Sequence, residues 1–318
     1  MLTDKAYAIC ILKILEEYSD EEHILQMKDI ISKLKAYYDL SPDRRTVYSA
    51  VALLNDLGYD ISTYEENGKG YFIRDRLFEP SEISMLLNAV YSFAFITAAQ
   101  TDELIGKLQS QLSVHQRKQF RNLTIAREEK KSDNKQVFYN IDLLDEAITK
   151  KLQVEFNYYN YGIDNELHKR RDASYIMSPY AMVFKNGHFY LLCGKKGIEN
   201  PIVFRIDRIK ELSITELSVE GPVPDKILLE NTVYAFLGKA ETIMIKCDKS
   251  IINDVIDYFG TGVYISEVSD EEFMVSFTAP PKGILYWALQ YLPYTEVIEP
   301  KWLREKVIES INTNRYNK

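Results

Sequence analysis

The hydrophobic pattern of the chain changes near residue 152: helical repeats dominate before it, and short apolar runs separated by turn residues follow it. One uniform fold cannot satisfy both, because a 3.6-residue repeat gathers apolar side chains on one face of a helix and a two-residue repeat gathers them on one face of a strand. At 318 residues the chain also exceeds what a single core usually organises. The expectation is a multidomain α+β protein divided near residues 76, 135 and 224.

The first module, residues 1–76, reads as three helices and a hairpin. Ala8, Ile11, Leu12 and Leu15 repeat at i, i+3, i+4, i+7, as do Met27, Ile30, Ile31 and Leu34. The third helix opens with Ser41 as N-cap, Pro42 at its first position and Asp43 in its first turn, and its apolar face is Val47, Ala50, Val51 and Leu54. Gly58 stops it. Strands over Tyr59–Tyr64 and Tyr71–Arg74 then join through Asn67-Gly68, a dipeptide suited to the positive φ angles of a two-residue turn.

That layout is a winged helix-turn-helix. With Val47 inward, a rotation of about 100° per residue sends Arg45, Tyr48, Ser49 and Ala52 outward and Arg44 to the edge of the first turn. Arg44, Arg45, Thr46, Tyr48 and Ser49 are therefore the candidate contacts in a DNA major groove, where an arginine pairs with guanine O6 and N7. Lys28 and Lys33 on the second helix and Lys69 at the wing tip are the candidate phosphate contacts. Charge argues the other way. The net charge is −8, and residues 1–76 hold 10 basic against 14 acidic side chains, so only a local basic face can meet DNA. Glu16, Glu17, Asp20, Glu21 and Glu22 concentrate the acid near the first inter-helix loop. A protein-docking helix with Arg44 and Arg45 merely solvated is the alternative.

Residues 77–135 read as helical, starting at Pro80-Ser81 and ending in a polar linker from Arg127 to Lys135. Met85–Ala99 is the longest apolar stretch; Asn88 and Ser92 interrupt it, it falls short of a bilayer span, and it reads as one buried helix. Lys107, Arg117, Lys118, Arg121, Arg127, Lys130, Lys131 and Lys135 outnumber Glu128, Glu129 and Asp133, which leaves either a solvated helix face or a second phosphate-facing surface.

Residues 136–224 begin with a helix, Ile141–Lys151, and continue as strands Val154–Tyr161, Tyr175–Phe184, Gly187–Cys193 and Ile202–Ile209, which suggests a small β-barrel. Asn186-Gly187 as a two-residue turn pairs Phe184 with Phe189 and Met182 with Leu191, making that face core. Strict alternation sets Ser178 and Tyr180 on this face and His188 and Tyr190 on the other, unless a bulge intervenes at Pro179. Arg205 and Asp207 share a face, which admits a structural ion pair. Arg208 lies opposite and is the better anion ligand, because a forked guanidinium suits phosphate.

Residues 225–318 carry the order strand (Thr242–Cys247), helix (Ile251–Phe259), strand (Val263–Val268), strand (Phe273–Phe277), helix (Gly283–Tyr291), strand (Thr295–Ile298) and a last helix from Pro300. That order is the one a ferredoxin-like sandwich requires.

Several classes are disfavoured. Cys10, Cys193 and Cys247 are far apart and outside any CxxC spacing, which argues against disulfides or zinc and for a reducing compartment. The first residues lack the layout of a signal peptide, so a cytoplasmic protein without a membrane partner is expected. There is no Walker loop, GxGxxG, HExxH or Gly-x-Ser-x-Gly elbow, and the four histidines are scattered. No metal, cofactor or catalytic role is therefore expected.

Two segments, Ser178-Pro-Tyr-Ala-Met-Val-Phe-Lys-Asn-Gly-His-Phe-Tyr-Leu-Leu192 and Phe204-Arg-Ile-Asp-Arg-Ile209, resemble the WYL-domain family of bacterial regulators. The family's Trp-Tyr-Leu stands here as Phe189-Tyr190-Leu191, and Glu299-Pro-Lys-Trp-Leu-Arg304 resembles its C-terminal extension. The resemblance implies an SH3-like barrel that senses a nucleotide or nucleic-acid ligand, with Ser178, Tyr180, His188, Arg205 and Arg208 in the pocket. Together with the usual two-fold match of protein to operator, it implies a homodimer on double-stranded DNA. The alternative is a single-stranded nucleic-acid-binding accessory protein of a defence system without operator-specific DNA binding, in which Tyr158, Tyr159 and Tyr161 stack bases.

Overall fold

The computed structural model describes residues 4–119, 131–185, 187–221 and 240–315. Arg121, Arg127, Glu128, Glu129, Lys130, Asn186 and the boundary near 224 lie outside the described residues. The chain divides into two compact units, Met1–Asp133 and Asn134–Lys318.

The first unit opens with helices α1 (Asp4–Tyr18), α2 (Met27–Tyr38) and α3 (Arg44–Asp56), followed by strand β1 (Ile61–Ser62), the one-turn helix α4 (Tyr64–Asn67) and strand β2 (Phe72–Ile73). Ile11, Leu15, Ile30, Leu34, Val47, Val51 and Leu54 are buried in one core, each worth about 1.5–3 kcal/mol of transfer free energy. The N-cap of α3 is Asp43, not Ser41: its carboxylate accepts from the Thr46 amide (2.8 Å) and hydroxyl (2.9 Å). Those two bonds hold the Asp43 carboxyl below the usual carboxylate value.

The hairpin departs from the expected two-residue turn. A type I′ turn needs positive φ at both central residues, yet Asn67 closes α4 and only Gly68 is left-handed, at φ 67°. Thr63 and Glu66 explain this as a reciprocal capping box at the start of α4. The backbone of Tyr71 also bridges Leu25, with N···O distances of 2.9 and 2.8 Å.

Helices α5 (Pro80–Ser92), α6 (Ala98–Gln109) and α7 (Gln116–Gln119) follow. The expected single buried helix over Met85–Ala99 is two helices. Thr97 caps α6 in a box with Gln100, and Met85 is 72% exposed. Ile83, Leu87, Ile105 and Leu112 form a second small core. The α6–α7 corner is fastened to the end of α1. Arg117 grips Glu17 with both guanidinium arms at 3.0 and 2.7 Å, and Arg76 donates to the carbonyls of Glu16 (2.8 Å), Ser19 (2.7 Å) and Gln111 (3.3 Å).

The second unit starts with α8 (Val137–Lys150) and a curled antiparallel sheet of β3 (Leu152–Tyr161), β4 (Leu167–Lys169), β5 (Tyr175–Lys185), β6 (His188–Lys195), β7 (Ile198–Arg205) and β8 (Ile209–Ser218). Pairing runs β3 to β5 to β6 to β7, and a 3-10 turn over Ile206–Arg208 then leads into β8, which returns to β3. The expected strand through Ile209 thus breaks at this turn, and β4 and β8 are strands the pattern did not announce. Phe156, Tyr158, Phe204 and Leu191 form the core under Leu144 and Ala147 of α8. Phe184 pairs with Phe189 and Met182 with Leu191. That face is core only toward Leu191, since Phe184 is 47% exposed.

The chain ends with β9 (Glu241–Asp248), α9 (Ile252–Phe259), β10 (Tyr264–Glu267), β11 (Glu272–Ala279), α10 (Pro281–Gln290), β12 (Thr295–Glu299) and α11 (Lys301–Asn312), and the strands lie in the order β10-β11-β9-β12. Trp287 of α10 and Val255 of α9 fill the core against Ile245, Val275 and Val297. Burial pushes the Cys247 thiol up to about 12, so it acts as a packing group.

Asp20 ties the α1–α2 loop to the α6–α7 corner through Ser113 Oγ (2.6 Å), and within its own loop it bonds His23 Nδ1 (2.7 Å). Burial pushes its pKa up, but these bonds outweigh burial and leave it below the ordinary carboxylate value. A depressed folded pKa gives stability that is present above the unfolded value, near 4, and is lost as pH falls through the folded one. Asp20→Asn should cost about 1–3 kcal/mol at pH 7, and the deficit against the parent should shrink below pH 4, as measured by denaturant unfolding across pH. A deficit independent of pH would show that the ionised carboxylate is not what holds the corner.

Candidate functional site

The outward face of α3 is set by what the inward face buries. Val47, Ala50, Val51 and Leu54 are at most 4% exposed, so Arg44, Arg45, Ser49 and Ala52 face outward and are exposed. Tyr48 is half exposed, and its ring lies 6.5 Å from that of Tyr71, which is buried. Thr46 is held by Asp43, as described above. Lys28 and Lys69 are exposed. Lys33 turns back onto α1, with its ammonium 3.7 Å from the Tyr18 ring centroid. The hairpin carries acid as well as base; Arg74 is paired to both Asp60 (2.7 Å) and Glu66 (2.6 Å), one positive charge against two negative ones.

In the second unit, the five expected pocket residues fall into two groups. Ser178 is buried, and its Oγ accepts from the Glu220 amide (2.9 Å) and from Gln153 Nε2 (3.3 Å). The register of β5 against β6 shifts between Pro179 and Ala181, so Tyr180 is the bulged residue. Its hydroxyl donates to the Glu220 carbonyl (2.9 Å), and its ring lies so close over Gly194 that a Cβ there would be 1.8 Å from the phenol oxygen. Ser178 and Tyr180 therefore fasten the chain after β8 to the β5–β6 hairpin.

His188, Arg205 and Arg208 form the other group, joined by Tyr190, Asp207 and Tyr158. Tyr190 pairs with Arg205 across β6 and β7. Arg205 donates from Nε and Nη2 to the two oxygens of Asp207 (3.0 and 2.6 Å), and its Nη2 lies 2.9 Å from His188 Nδ1. Burial acts to lower the Arg205 pKa, but the bond to Asp207 outweighs it, so the guanidinium is held more firmly charged. Burial also pushes the Tyr190 phenol up. The Tyr158 hydroxyl accepts from the Arg205 amide (3.2 Å), while its ring packs in the core against Phe204.

The 3-10 turn beneath this group is fixed from below. Asn134 Nδ2 donates to the carbonyls of Asp207 (3.1 Å) and Ile209 (2.8 Å), and Asn140 Nδ2 of α8 donates to Ile209 (3.0 Å). Arg208 projects from this turn. Its Nε is buried without a hydrogen-bond partner among the described residues, and its guanidinium carbon lies 5.5 Å from the Tyr161 ring centroid. Next to it Lys210 lies 4.7 Å from the Tyr159 ring centroid. The turn and the start of β8 thus set a guanidinium and an ammonium beside two tyrosine rings, next to an Arg205 whose charge is met by Asp207. The bonds that fix the turn escaped the sequence reading because Asn134 and Asn140 act across some 70 residues of chain.

Asp207→Asn removes the charge that holds Arg205. It should lower unfolding stability by about 1.5–3 kcal/mol, the usual worth of hydrogen bonds to a charged group, and shift the aromatic circular dichroism of the Tyr190 and Tyr158 cluster. An unchanged denaturation midpoint would show that the turn is held by the asparagines alone.

Among described residues, no helix is long and apolar enough to cross a membrane, and no cluster of His, Cys, Asp or Glu is arranged to hold a metal ion. No curated protein matches the chain. Among solved structures, proteasome accessory factor B/C (PafBC) of Arthrobacter aurescens is 15% identical over 96% of this chain and 46% of that one, with a TM-score of 0.26. The chain thus spans less than half the length of PafBC. A CRISPR Cas-related protein is 17% identical over 76% of this chain and 75% of that one, with a TM-score of 0.34. Likeness of this degree carries no argument about activity. The family match is local: residues 139–214, which hold the Phe189-Tyr190-Leu191 tripeptide and the Arg205–Arg208 turn, match the family model of the WYL domain, and the chain therefore carries a WYL domain.

Proposed function

We propose that this chain is a cytoplasmic, ligand-responsive transcriptional regulator without a catalytic step of its own. In this reading α1–α3 and the β1–β2 hairpin are a winged helix-turn-helix whose third helix enters the major groove. The WYL domain is an SH3-like barrel sensing a nucleotide or nucleic-acid ligand, and the last module is a ferredoxin-like extension. The observation that carries the reading is the exposed face of α3, where Arg44, Arg45, Tyr48 and Ser49 stand outward over a fully buried opposite face. An arginine in the first turn of such a helix has the reach and the forked donors to read guanine.

For the ligand, the support is Arg208. Among the described residues its guanidinium makes no ion pair, so its forked donors can take an anionic acceptor beside the Tyr161 ring. A ligand supplying that acceptor regulates DNA binding only by favouring one arrangement of a homodimer over another. The dimer itself is proposed from the two-fold symmetry of the usual operator.

A second reading is favoured by a separate observation. Tyr159 under Lys210 and Tyr161 under Arg208 are aromatic faces already paired with cations, the combination that holds single-stranded nucleic acid without sequence preference. In that case the chain is an accessory nucleic-acid-binding protein of a defence system.

Selection of duplex DNA from a random pool by the purified chain separates the two. The regulator should recover a two-fold motif, and Arg45→Ala should lose about 1–3 kcal/mol of discrimination at one base pair of each half-site. Capture of single strands alone favours the accessory protein. Arg208→Ala should leave ligand-free duplex binding unchanged while abolishing the ligand's effect on it. Loss of duplex binding by Arg208→Ala without ligand would remove the sensor assignment.

A further inference from the structure

Asn67, at the end of α4, commits its whole side-chain amide to the tip of the hairpin. A primary amide has two donor hydrogens and a carbonyl with two lone pairs. Oδ1 accepts from the amides of Lys69 (2.6 Å) and Gly70 (2.9 Å), and Nδ2 donates to the Gly70 carbonyl (2.9 Å) and to Ser62 Oγ (2.7 Å). The far side of the tip is fixed as well. Gly70 approaches Leu25 so closely that a Cβ would lie 2.3 Å from the Leu25 carbonyl oxygen, and the next residue, Tyr71, forms the bridge to Leu25. Lys69 therefore stands between two anchored points. Its side chain is exposed and makes no ion pair among the described residues.

We propose that Asn67 is the positioning residue for Lys69, holding the hairpin tip in one conformation so that the ammonium meets a DNA phosphate already ordered. The inference rests on the duplex-binding reading above and adds to it a residue that does not touch DNA. The physical gain is pre-organisation. A tip of loose backbone has to be ordered when the phosphate is bound, and the cost is subtracted from affinity. A tip ordered in advance leaves the contact at full strength. A merely structural Asn67 stabilises the hairpin and does nothing else.

A double-mutant cycle on the full chain distinguishes these, with a mixed-sequence DNA duplex as probe and affinity read over a range of salt. Lys69→Gln should lower the slope of log affinity against log salt by about 0.9, the release from one phosphate. Asn67→Ala should weaken binding by roughly 3–10-fold and lower the slope by a similar amount, and it should have little further effect once Lys69 is Gln, because the two residues act as a unit. Asn67→Ser retains a shorter acceptor for the amide two residues on; it should fall between parent and Asn67→Ala, and it serves as the test variant if Asn67→Ala does not fold. Additive losses, or a fall in melting temperature with slope and affinity unchanged, would overturn the positioning role alone. A parent chain that binds no duplex even at low salt would overturn the duplex-binding reading and this inference together.

Discussion

The bond between Asp207 and Arg205 is the constraint on which the WYL domain's face depends. It joins the last residue of β7 to the middle of the 3-10 turn, across the point where the chain leaves the strand. Asn134 and Asn140 satisfy the carbonyls of the same turn from beneath, and His188 and Tyr190 close over it from β6. Because a charged pair with little solvent around it is costly to break from one side, the turn has few alternative conformations. Arg208 follows Asp207 in the same turn and stands beside the Tyr161 ring.

The first unit sets an acidic composition beside a third helix that exposes Arg44 and Arg45. Many of its carboxylates are already committed: Glu17 to Arg117, Asp20 to Ser113 and His23, Asp60 and Glu66 to Arg74, and Asp43 to the cap of α3. Only the arginine contacts compensate charge, and Arg74 sets one positive charge against two carboxylates; the bonds from Ser113 and from the Thr46 amide hold Asp20 and Asp43 in their ionised form.

What was legible in the sequence follows from which interactions are local. The C-terminal module was readable nearly element by element, because Ile243, Ile245 and Cys247 alternate cleanly and Gly260 marks the end of α9. Strand β8 was hidden by its own irregularity. Glu211 is left-handed at φ 54°, which sets the buried residues Ile209 and Leu212 three apart, a helical spacing inside a strand. In the hairpin, the familiar Asn-Gly pair drew attention from the Thr63–Glu66 box, and a one-turn helix was taken for a tight turn. The bulge at Tyr180 was foreshadowed by Pro179, but the partners of Ser178 and Tyr180 lie some 40 residues away and left no trace in the local pattern.

Arg76 sits where the sequence suggested that the first module ends. Its guanidinium bridges carbonyls at the end of α1 and the carbonyl of Gln111, while Arg117 and Ser113 reach back to the same helix end. A fragment cut after residue 76 would keep Arg76 but strip away its Gln111 acceptor, take Ser113 from Asp20 and Arg117 from Glu17, and uncover the end of α1. The compact unit runs from Met1 to Asp133, and the segment expected to be a connector packs as part of it.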